Sequence, residues 1–285
     1  MSVEYPTAFV KQYEAGIQQL QQQGEARLRP TVDMDGSVTG EVAFYDQLDS
    51  IEATKDETRH GDTQYSTTPH RRRMVRGFTY RVADLIDRPD VVQALSNPTN
   101  AYSMAFAMAM NRAEDREIIA AFFATAVTGK EGTGTAAFDT TNKRLTVNAY
   151  TVARLLTAKK KLDEDEVRKG GRTAVVSAEQ LEDLLNQTEV KSIDYNSVKA
   201  LVQGEVDTFV GFHFVHSEQL GIDGSSDRRC PLYQKNSMKL AVWIEKRGTI
   251  DRLPSKNNST QVFYEMRCGA TRMDEKGVIE MISSE

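Results

Sequence analysis

The pattern of apolar and polar positions predicts one long helix near the middle of the chain. In Ser96–Gly129, apolar side chains recur at helical spacing, Pro98 suits the first helical position, and a glycine ends the segment. About 30 helical residues at 1.5 Å per residue make a rod of roughly 45 Å, far above the usual three or four turns. This length predicts a strut along which other elements pack, although the longest helix of an ordinary helical domain would give the same pattern.

A polar belt interrupts the apolar run at the centre of this helix. The belt consists of Asn111, Arg112, Glu114, Asp115, Arg116 and Glu117. A membrane-spanning helix needs about 20 predominantly apolar residues with few charges. The belt therefore excludes a membrane span at this position.

Two strand-like segments precede the helix and enclose a long polar stretch. Apolar side chains with strand-like spacing lie within 31–50 and again from Met74 to Ile86, and Ile51–His70 between them is charged or small throughout. Loops of this length inside compact domains are uncommon and are usually functional or disordered. The pattern predicts a long hairpin whose tip has no core of its own.

The two limbs of this hairpin carry opposite charge. The basic limb holds Arg71, Arg72, Arg73 and Arg76, and the acidic limb holds Asp46, Asp49, Glu52, Asp56 and Glu57. Charge pairs between two solvated strands of one subunit are one interpretation. The other is a projecting arm that clasps a neighbouring subunit through these charges.

Residues 1–30 are polar and rich in glutamine. Phe9, Tyr13, Ile17 and Leu20 recur at helical spacing, which predicts one amphipathic helix followed by an extended tail that ends at Pro30. Such a segment has too little apolar surface to fold alone. It is expected either to lie on a neighbouring surface or to be a frayed terminus.

Helices and strands mix in the second half of the chain. Spacing and capping residues predict helices at 148–168, from Ser177 to Leu185 and at 197–203, with Gln180 completing a capping box. Apolar runs predict strands at 173–176, 206–214, 239–246, 260–268 and 277–282, with Gly211 as a bulge. Residues 218–237 are rich in Gly, Ser, Asp and Arg, which predicts a loop.

Composition narrows the class of protein. The 285 residues are 39% hydrophobic and 27% charged, which suits a soluble chain of one large or two smaller domains. A formal net charge of −5 argues against a dedicated nucleic-acid binder. Two cysteines favour a reducing compartment, and the first residues lack the pattern of a signal peptide, so secretion is not expected.

No pattern in the sequence predicts a catalytic, cofactor-binding or metal-binding residue. His60 and His70 fall in the polar hairpin, while His213 and His216 lie three apart on a predicted strand and would point to opposite faces. The glycines of 129–134 do not match a phosphate-binding loop, and no predicted strand precedes them as a dinucleotide site requires. The sequence therefore predicts no catalytic site, no cofactor and no metal.

A series of short motifs follows one order along nearly the whole chain. They are Gly40-Glu41 with Phe44-Tyr45-Asp46, then Asp62-Thr63, Arg71–Arg73, Tyr80 with Asp84 and Ile86-Asp87, Asn111–Asp115, Ala126–Gly129, Cys268–Arg272 and Lys276–Val278. In this order and spacing, and with its polar N-terminal arm, the chain resembles the major capsid proteins of tailed bacteriophages, those with the HK97-type fold. The motifs carry order and spacing and no catalytic signature.

The resemblance implies an α+β, HK97-like capsid fold with an L-shaped subunit. Its expected parts are an N-terminal arm (1–35), an extended β-hairpin or E-loop (36–88), a peripheral domain with a spine helix (89–175), an axial domain (176–237) and a return to the peripheral domain (238–285). The implied function is that of a structural protein, without enzyme activity, that self-assembles into the icosahedral head shell enclosing the phage genome.

The resemblance also implies partners. The main partner is the chain itself, in hexamers and pentamers, and the shell would enclose DNA without sequence-specific binding and without a membrane. The expected location is the virion capsid, assembled in the host bacterial cytoplasm. Separate scaffolding, portal and decoration proteins are possible further partners, and a scaffold would be either a separate protein or absent. Two alternatives remain: an encapsulin-like cellular nanocompartment shell, and a soluble α/β enzyme whose site is built from dispersed carboxylates.

Candidate inter-subunit contacts follow from charge and exposure. The facing strand offers too few convergent carboxylates for three adjacent arginines, which predicts acidic partners on an adjacent subunit. The candidates are Arg59, Arg71, Arg72 and Arg73 on the hairpin, Glu114, Asp115 and Glu117 on the helix, and Phe9 and Tyr13 on the arm.

Overall fold

The computed structural model describes residues 21–55, 62–63, 65–87, 99–147, 149–187, 208–225 and 227–284. The helices among them are α1 (Thr99–Phe123), α2 (Val152–Glu164) and α3 (Ala178–Leu185). The strands are β1 (Asp33–Asp35), β2 (Val42–Leu48), β3 (His70–Arg76), β4 (Phe78–Ile86), β5 (Ala126–Thr128), β6 (Gly134–Ala136), β7 (Arg144–Val147), β8 (Arg172–Val176), β9 (Thr208–Phe209), β10 (Phe212–His216), β11 (Arg228–Gln234), β12 (Met238–Leu253), β13 (Ser259–Arg272) and β14 (Val278–Ser283). None of these three helices is long and apolar enough to cross a membrane.

The chain divides into two compact units. The first unit takes its residues from Met1–Glu25, Thr79–Ala113 and Ile244–Met266, and the second from Ala26–Phe78, Glu114–Trp243 and Arg267–Glu285. Helix α1 and the long strands β12 and β13 have residues in both.

In the first unit, the start of α1 packs beside a sheet. Strands β12, β13 and β4 are successive hydrogen-bonded neighbours. The ring of Phe106 meets that of Tyr264 edge-on at 6.3 Å between centroids. Val262 and Met266, on the same strand as Tyr264, are buried, so this strand contributes to the core of the unit.

In the second unit, a six-stranded sheet with the order β7-β14-β11-β8-β10-β9 forms the centre of the core. All residues of β8 and β14 are buried, and so is the middle of β11. Helix α3 begins after β8 with the predicted capping box. The Ser177 side chain accepts the backbone N–H of Gln180, and the Gln180 side chain accepts the backbone N–H of Ser177. The prediction of this helix start is confirmed.

The predicted long hairpin is present in the second unit. Strands β2 and β3 are antiparallel, with Asp46 opposite Arg72 and Leu48 opposite His70. They form a four-stranded sheet in the order β2-β3-β5-β6. Strand β4, which the expected segment 36–88 included, follows Gly77 and pairs with β13 in place of the hairpin. A Cβ on Gly77 would lie 2.6 Å from the Trp243 ring, so the close approach of that ring requires a glycine at the bend.

The predicted loop at 218–237 is wrong for its second half. Strand β11 occupies Arg228–Gln234 and pairs with both β8 and β14. The sequence did not predict this strand, because Arg228, Arg229 and Pro231 interrupt its short apolar run and leave no strand pattern.

Two further expectations about turns are corrected. The predicted single strand 206–214 is a hairpin, because Val210 and Gly211 both have positive φ and reverse the chain between β9 and β10. A strand, β5, does precede the glycines of 129–134. The antiparallel strand β6 follows them, so the segment still lacks the helix that a dinucleotide site requires.

The last strand lies in the central sheet of the second unit, where β14 is between β7 and β11 in the same sheet as β8 and β10. The assignment of 238–285 to the peripheral domain stays a prediction. Strands on either side of the expected boundary at 176 thus share one core. The predicted helix at 197–203 lies outside the described residues.

Candidate subunit-contact surfaces

The polar belt of α1 binds the segment that follows the N-terminal arm. In the first unit, the Asn111 amide donates to the carbonyl oxygen of Gly24 at 2.6 Å, and Arg112 donates to the Gln22 side chain at 2.7 Å. In the second unit, the Asp115 carboxylate accepts the backbone N–H groups of Arg27 and Leu28 at 3.0 and 3.1 Å. The belt is therefore a docking site for residues 22–28 of its own chain.

Burial in this region decides the role of two predicted contact residues. Glu114 is 1% exposed and binds Arg29 at 3.2 Å, and Asp115 is fully buried. Both carboxylates are held within the subunit, so they are not available as surface partners for a neighbour's arginines. That part of the prediction is corrected, and Glu117, which is half-buried, remains a prediction.

Two arginines of the hairpin each bind a carboxylate within the subunit. Arg71 pairs with Asp49 at 2.7 Å, and Arg72 pairs with Asp46 at 2.5 Å across the strands. The facing limb thus supplies carboxylates for two of the three adjacent arginines, and these two bind within the subunit. Both arginines therefore form charge pairs across the hairpin within one subunit, as one of the two interpretations predicted.

Arg73 differs from its neighbours because it is buried. Its guanidinium donates to Glu275 at 2.5 Å and to the carbonyl oxygen of Met273 at 3.2 Å. Glu275 lies in the turn before β14, 202 positions along the chain, and no local pattern could connect the two residues.

The exposed Asp46–Arg72 pair of the hairpin shifts the pKa of both partners. The hydrogen bond from Arg72 lowers the pKa of Asp46 and raises the pKa of Arg72. Phe44 on the same face lies under the Arg72 guanidinium, with 5.7 Å from the ring centroid to its carbon. These contacts hold the base of the hairpin in one geometry.

Beyond this base, the hairpin exposes apolar side chains. Leu48 is 66% exposed, Ile51 52% and Tyr65 94%. Every described residue of 50–55 and 62–70 is exposed except Thr68, which is half-buried. These three apolar side chains are scattered among polar ones along the limbs of the hairpin.

The histidines of β10 take part in polar contacts. Arg27 can only donate, so the His216 Nδ1 at 3.0 Å accepts and Nε2 donates to Glu218 at 2.8 Å. Burial alone would raise the pKa of Glu218, but hydrogen bonds from the Ala178 N–H and from His216 lower it. Within the described part of the chain, no three His, Cys, Asp or Glu residues are placed to hold a metal ion.

Arg272, the last residue of the Cys268–Arg272 motif, is buried, and the sequence predicted no role for its side chain. Its guanidinium donates to the carbonyl oxygens of Phe122 at 2.8 Å and Ala124 at 2.9 Å, at the C-terminal end of α1. It also donates to the carbonyl oxygen of Ala136 at 3.2 Å. Burial lowers the pKa of Arg272. The residue closes the end of the long helix, where carbonyl groups have no partner inside the helix.

The remaining candidates, Arg59, Phe9 and Tyr13, lie outside the described residues and stay predictions.

Comparisons with known proteins place this geometry in a family. The family model described as phage capsid protein matches residues 5–285. No match was found among curated proteins.

Solved phage structures share the fold over nearly the whole chain. A chain of Mycobacterium phage Che8 is 15% identical with a TM-score of 0.74, and 96% of each chain is covered. The capsid structure of the cyanophage P-SCSP1u is 12% identical with a TM-score of 0.78, covering 100% of this chain and 96% of that one. The capsid of Helicobacter pylori bacteriophage KHP30 is 10% identical with a TM-score of 0.74, covering 100% and 97%.

The mixed α+β architecture is thus the HK97-like fold of phage capsids. At these low identities the structural likeness establishes the fold alone, and the family model carries the assignment. The chain belongs to the phage capsid protein family.

Proposed function

We propose that the chain is the subunit of an icosahedral phage head, in which copies of it form hexamers and pentamers. Membership of the phage capsid protein family gives the chain a structural, shell-forming role. The arrangement into rings of five and six goes further and is supported by the exposed hairpin.

The observation that carries this proposal is the exposure of the β2–β3 hairpin. Its outer limbs expose Leu48, Ile51 and Tyr65, and its base is held by the pairs of Arg71 and Arg72. A hairpin with a paired base and exposed apolar side chains is suited to contact another subunit, because burying these side chains there would remove apolar area from water.

The finer parts of the proposal concern the contents and the location of the shell. The shell encloses phage DNA without reading its sequence, catalyses no reaction and is assembled in the cytoplasm of the host bacterium. The net charge of −5 supports a container that does not hold DNA tightly through counterion release.

A hairpin-trimmed variant tests the proposed function. Replacing residues 51–67 by Asn-Gly joins Ser50 to Thr68 through a two-residue turn that suits antiparallel strands. The variant is expected to keep the far-ultraviolet circular dichroism and the cooperative melting of the full chain. Electron microscopy is expected to show closed shells for the full chain and none for the variant. Normal shells from the trimmed chain would refute the role of the hairpin.

The encapsulin-like alternative predicts a different content. Shells purified from phage-infected cells are expected to contain DNA that resists nuclease. A cargo enzyme in place of DNA would favour the nanocompartment.

A further inference from the structure

A pair of arginines bridged by one carboxylate lies on one face of the six-stranded sheet in the second unit. Glu280 on β14 stands opposite Arg144 on β7, and Arg229 on β11 stands opposite Ile282, two residues beyond Glu280. Side chains two residues apart on a strand point to the same face, so the carboxylate lies between the two guanidinium groups. The Arg144 Nε donates to one oxygen of Glu280 at 2.5 Å, and the Arg229 Nε donates to the other oxygen.

The carboxylate compensates only one of the two positive charges. Glu280 is fully buried, while the side chains of Arg144 and Arg229 are 34% and 29% exposed. Among the described residues, neither arginine forms an ion pair with any other carboxylate. One positive charge therefore remains at a partly desolvated position, where water screens it less than at the open surface.

The outer nitrogen atoms of both arginines are available to a ligand. Each guanidinium uses only its Nε for Glu280, and its two Nη atoms form no hydrogen bond with any described residue. The buried side-chain atoms that lack a partner in the described part of the chain do not include these four Nη atoms, so solvent reaches all of them.

Two kinds of contact fix the direction of these groups. The buried Glu280 holds both Nε atoms, and the Arg229 guanidinium lies over the ring of Phe123, with 4.6 Å between its carbon and the ring centroid. Phe123 is the last residue of α1 and meets Phe138 edge-on, with 5.2 Å between the ring centroids. The Nη atoms are therefore held in place before a ligand arrives, which lowers the entropic cost of binding.

We propose that this pair of arginines binds a phosphate group, with the Nη atoms of Arg144 and Arg229 donating to its oxygens. A planar guanidinium matches two oxygens of one phosphate, and hydrogen bonds between ionised groups are stronger than those between neutral ones. The phosphate belongs to a nucleic-acid backbone or is free in solution. The site is built within one subunit, so the proposal does not depend on the assembly of a shell.

Lysine replacements test the arginine geometry at constant charge. The fork variant carries Arg144→Lys with Arg229→Lys, which keeps both positive charges beside Glu280 and removes the Nη atoms. The apolar variant carries Arg144→Leu, Arg229→Leu and Glu280→Leu, since replacing a buried ion cluster by apolar groups often preserves folding. A matched control carries Arg154→Lys with Arg252→Lys, at two exposed arginines outside the cluster. Circular dichroism and thermal melting establish that each variant is folded.

Binding is measured on the full-length subunit at constant ionic strength. Isothermal titration calorimetry with inorganic phosphate and fluorescence anisotropy with a short labelled DNA duplex give the two dissociation constants. The unaltered chain and the control are expected to bind inorganic phosphate alike. The fork and apolar variants are expected to bind it about ten-fold more weakly, because each loses hydrogen bonds to a charged group.

The two probes distinguish the sources of the phosphate. A parallel loss of DNA affinity in the fork variant would assign the site to a nucleic-acid backbone, and unchanged DNA affinity would assign it to free phosphate. Equal phosphate affinity of the unaltered chain and either folded variant would overturn the proposal, and so would the absence of saturable phosphate binding to the unaltered chain. Neither of these two results bears on the proposed function, which the formation of shells tests.

Discussion

At the scale of single residues, buried charge in this subunit is paired with groups distant in sequence. The two oxygens of Asp115 accept backbone N–H groups 88 and 87 positions away, and Arg73 reaches a carboxylate 202 positions away. The sequence predicted that these residues matter but assigned their partners to other subunits. Spacing along the chain reveals partners only within one helix or one hairpin. The partners of Asp115 and Arg73 lie in other elements.

Replacing Asp115 by Ala is expected to lower the free energy of unfolding by about 1–3 kcal/mol, because a buried donor left without its acceptor costs this much. Leu28, whose N–H is one of the two donors, is fully buried. Urea denaturation of the subunit measures the change. Glu164→Ala, at an exposed carboxylate of α2, serves as the control and should change stability by less than about 0.5 kcal/mol. Equal stability of the two variants would show that the hydrogen bonds from Arg27 and Leu28 to Asp115 do not stabilise the subunit.

The Asp46–Arg72 pair predicts a dependence on pH. Because the pKa of Asp46 is lowered in the folded state, the pair stabilises the hairpin fully above the ordinary value of 3.8, and this contribution is lost as the pH falls through the lowered pKa. A carboxyl carbon NMR titration should place the midpoint of Asp46 below 3.8, and Arg72→Gln should return it toward that value. If the substitution leaves the midpoint of Asp46 unchanged, the hydrogen bond from Arg72 is not what lowers its pKa.

At the scale of elements, the sequence predicted those with strong local patterns. The long helix, the hairpin limbs and the start of α3 were predicted because spacing, charge and capping agree there. Helix α1 is shorter than predicted, since it ends at Phe123, where Arg272 binds the free carbonyls and β5 begins three residues later. Arg272 lies near the other end of the chain, so the sequence around Phe123 does not indicate that the helix ends there.

Strand β11 has no strong local pattern and was not predicted. Its side chains are buried because β8 and β14 flank it, and this environment is set by the sheet. Its own residues lack the alternation of a half-buried strand.

The contact of β13 with the end of β3 gives a prediction at this scale. A Cβ on Gly269 would lie 2.1 Å from the carbonyl oxygen of Arg76, which is backbone and cannot rotate away. Gly269→Ala should therefore lower the free energy of unfolding by about 1–3 kcal/mol. Gly224→Ala, where a Cβ meets nothing within 4 Å, is the matched control. Urea denaturation compares the two variants, and a fully stable Gly269→Ala protein would show that the strands are not in this close contact.

At the scale of the whole molecule, the order of motifs was more informative than any single one. The resemblance to phage capsid proteins was carried by motifs spread from Gly40 to Val278, and the family match covers the same span. The domain boundaries remain predictions. Sheet membership depends on pairings between distant strands, so β4 and β14 joined sheets that the linear order did not indicate.

The structure also sets the limit for truncating the N-terminal arm. Removing residues 1–28 would delete the buried Leu28 and the two backbone N–H groups that donate to the Asp115 carboxylate, so this truncation is expected to destabilise the subunit. Removing only residues 1–20 should leave the melting temperature nearly unchanged and reduce the yield of shells, since this polar segment is proposed to act between subunits. Differential scanning calorimetry and sedimentation measure the two effects, and full shell yield from the shorter truncation would contradict an assembly role of the arm.

The most direct test of the central claim is cryo-electron microscopy of the chain expressed alone. The account predicts closed icosahedral shells in which rings of five and six subunits are joined by the β2–β3 hairpins, each lying on a neighbouring copy. A stable monomer at every concentration, or shells in which the hairpins contact no other subunit, would contradict it.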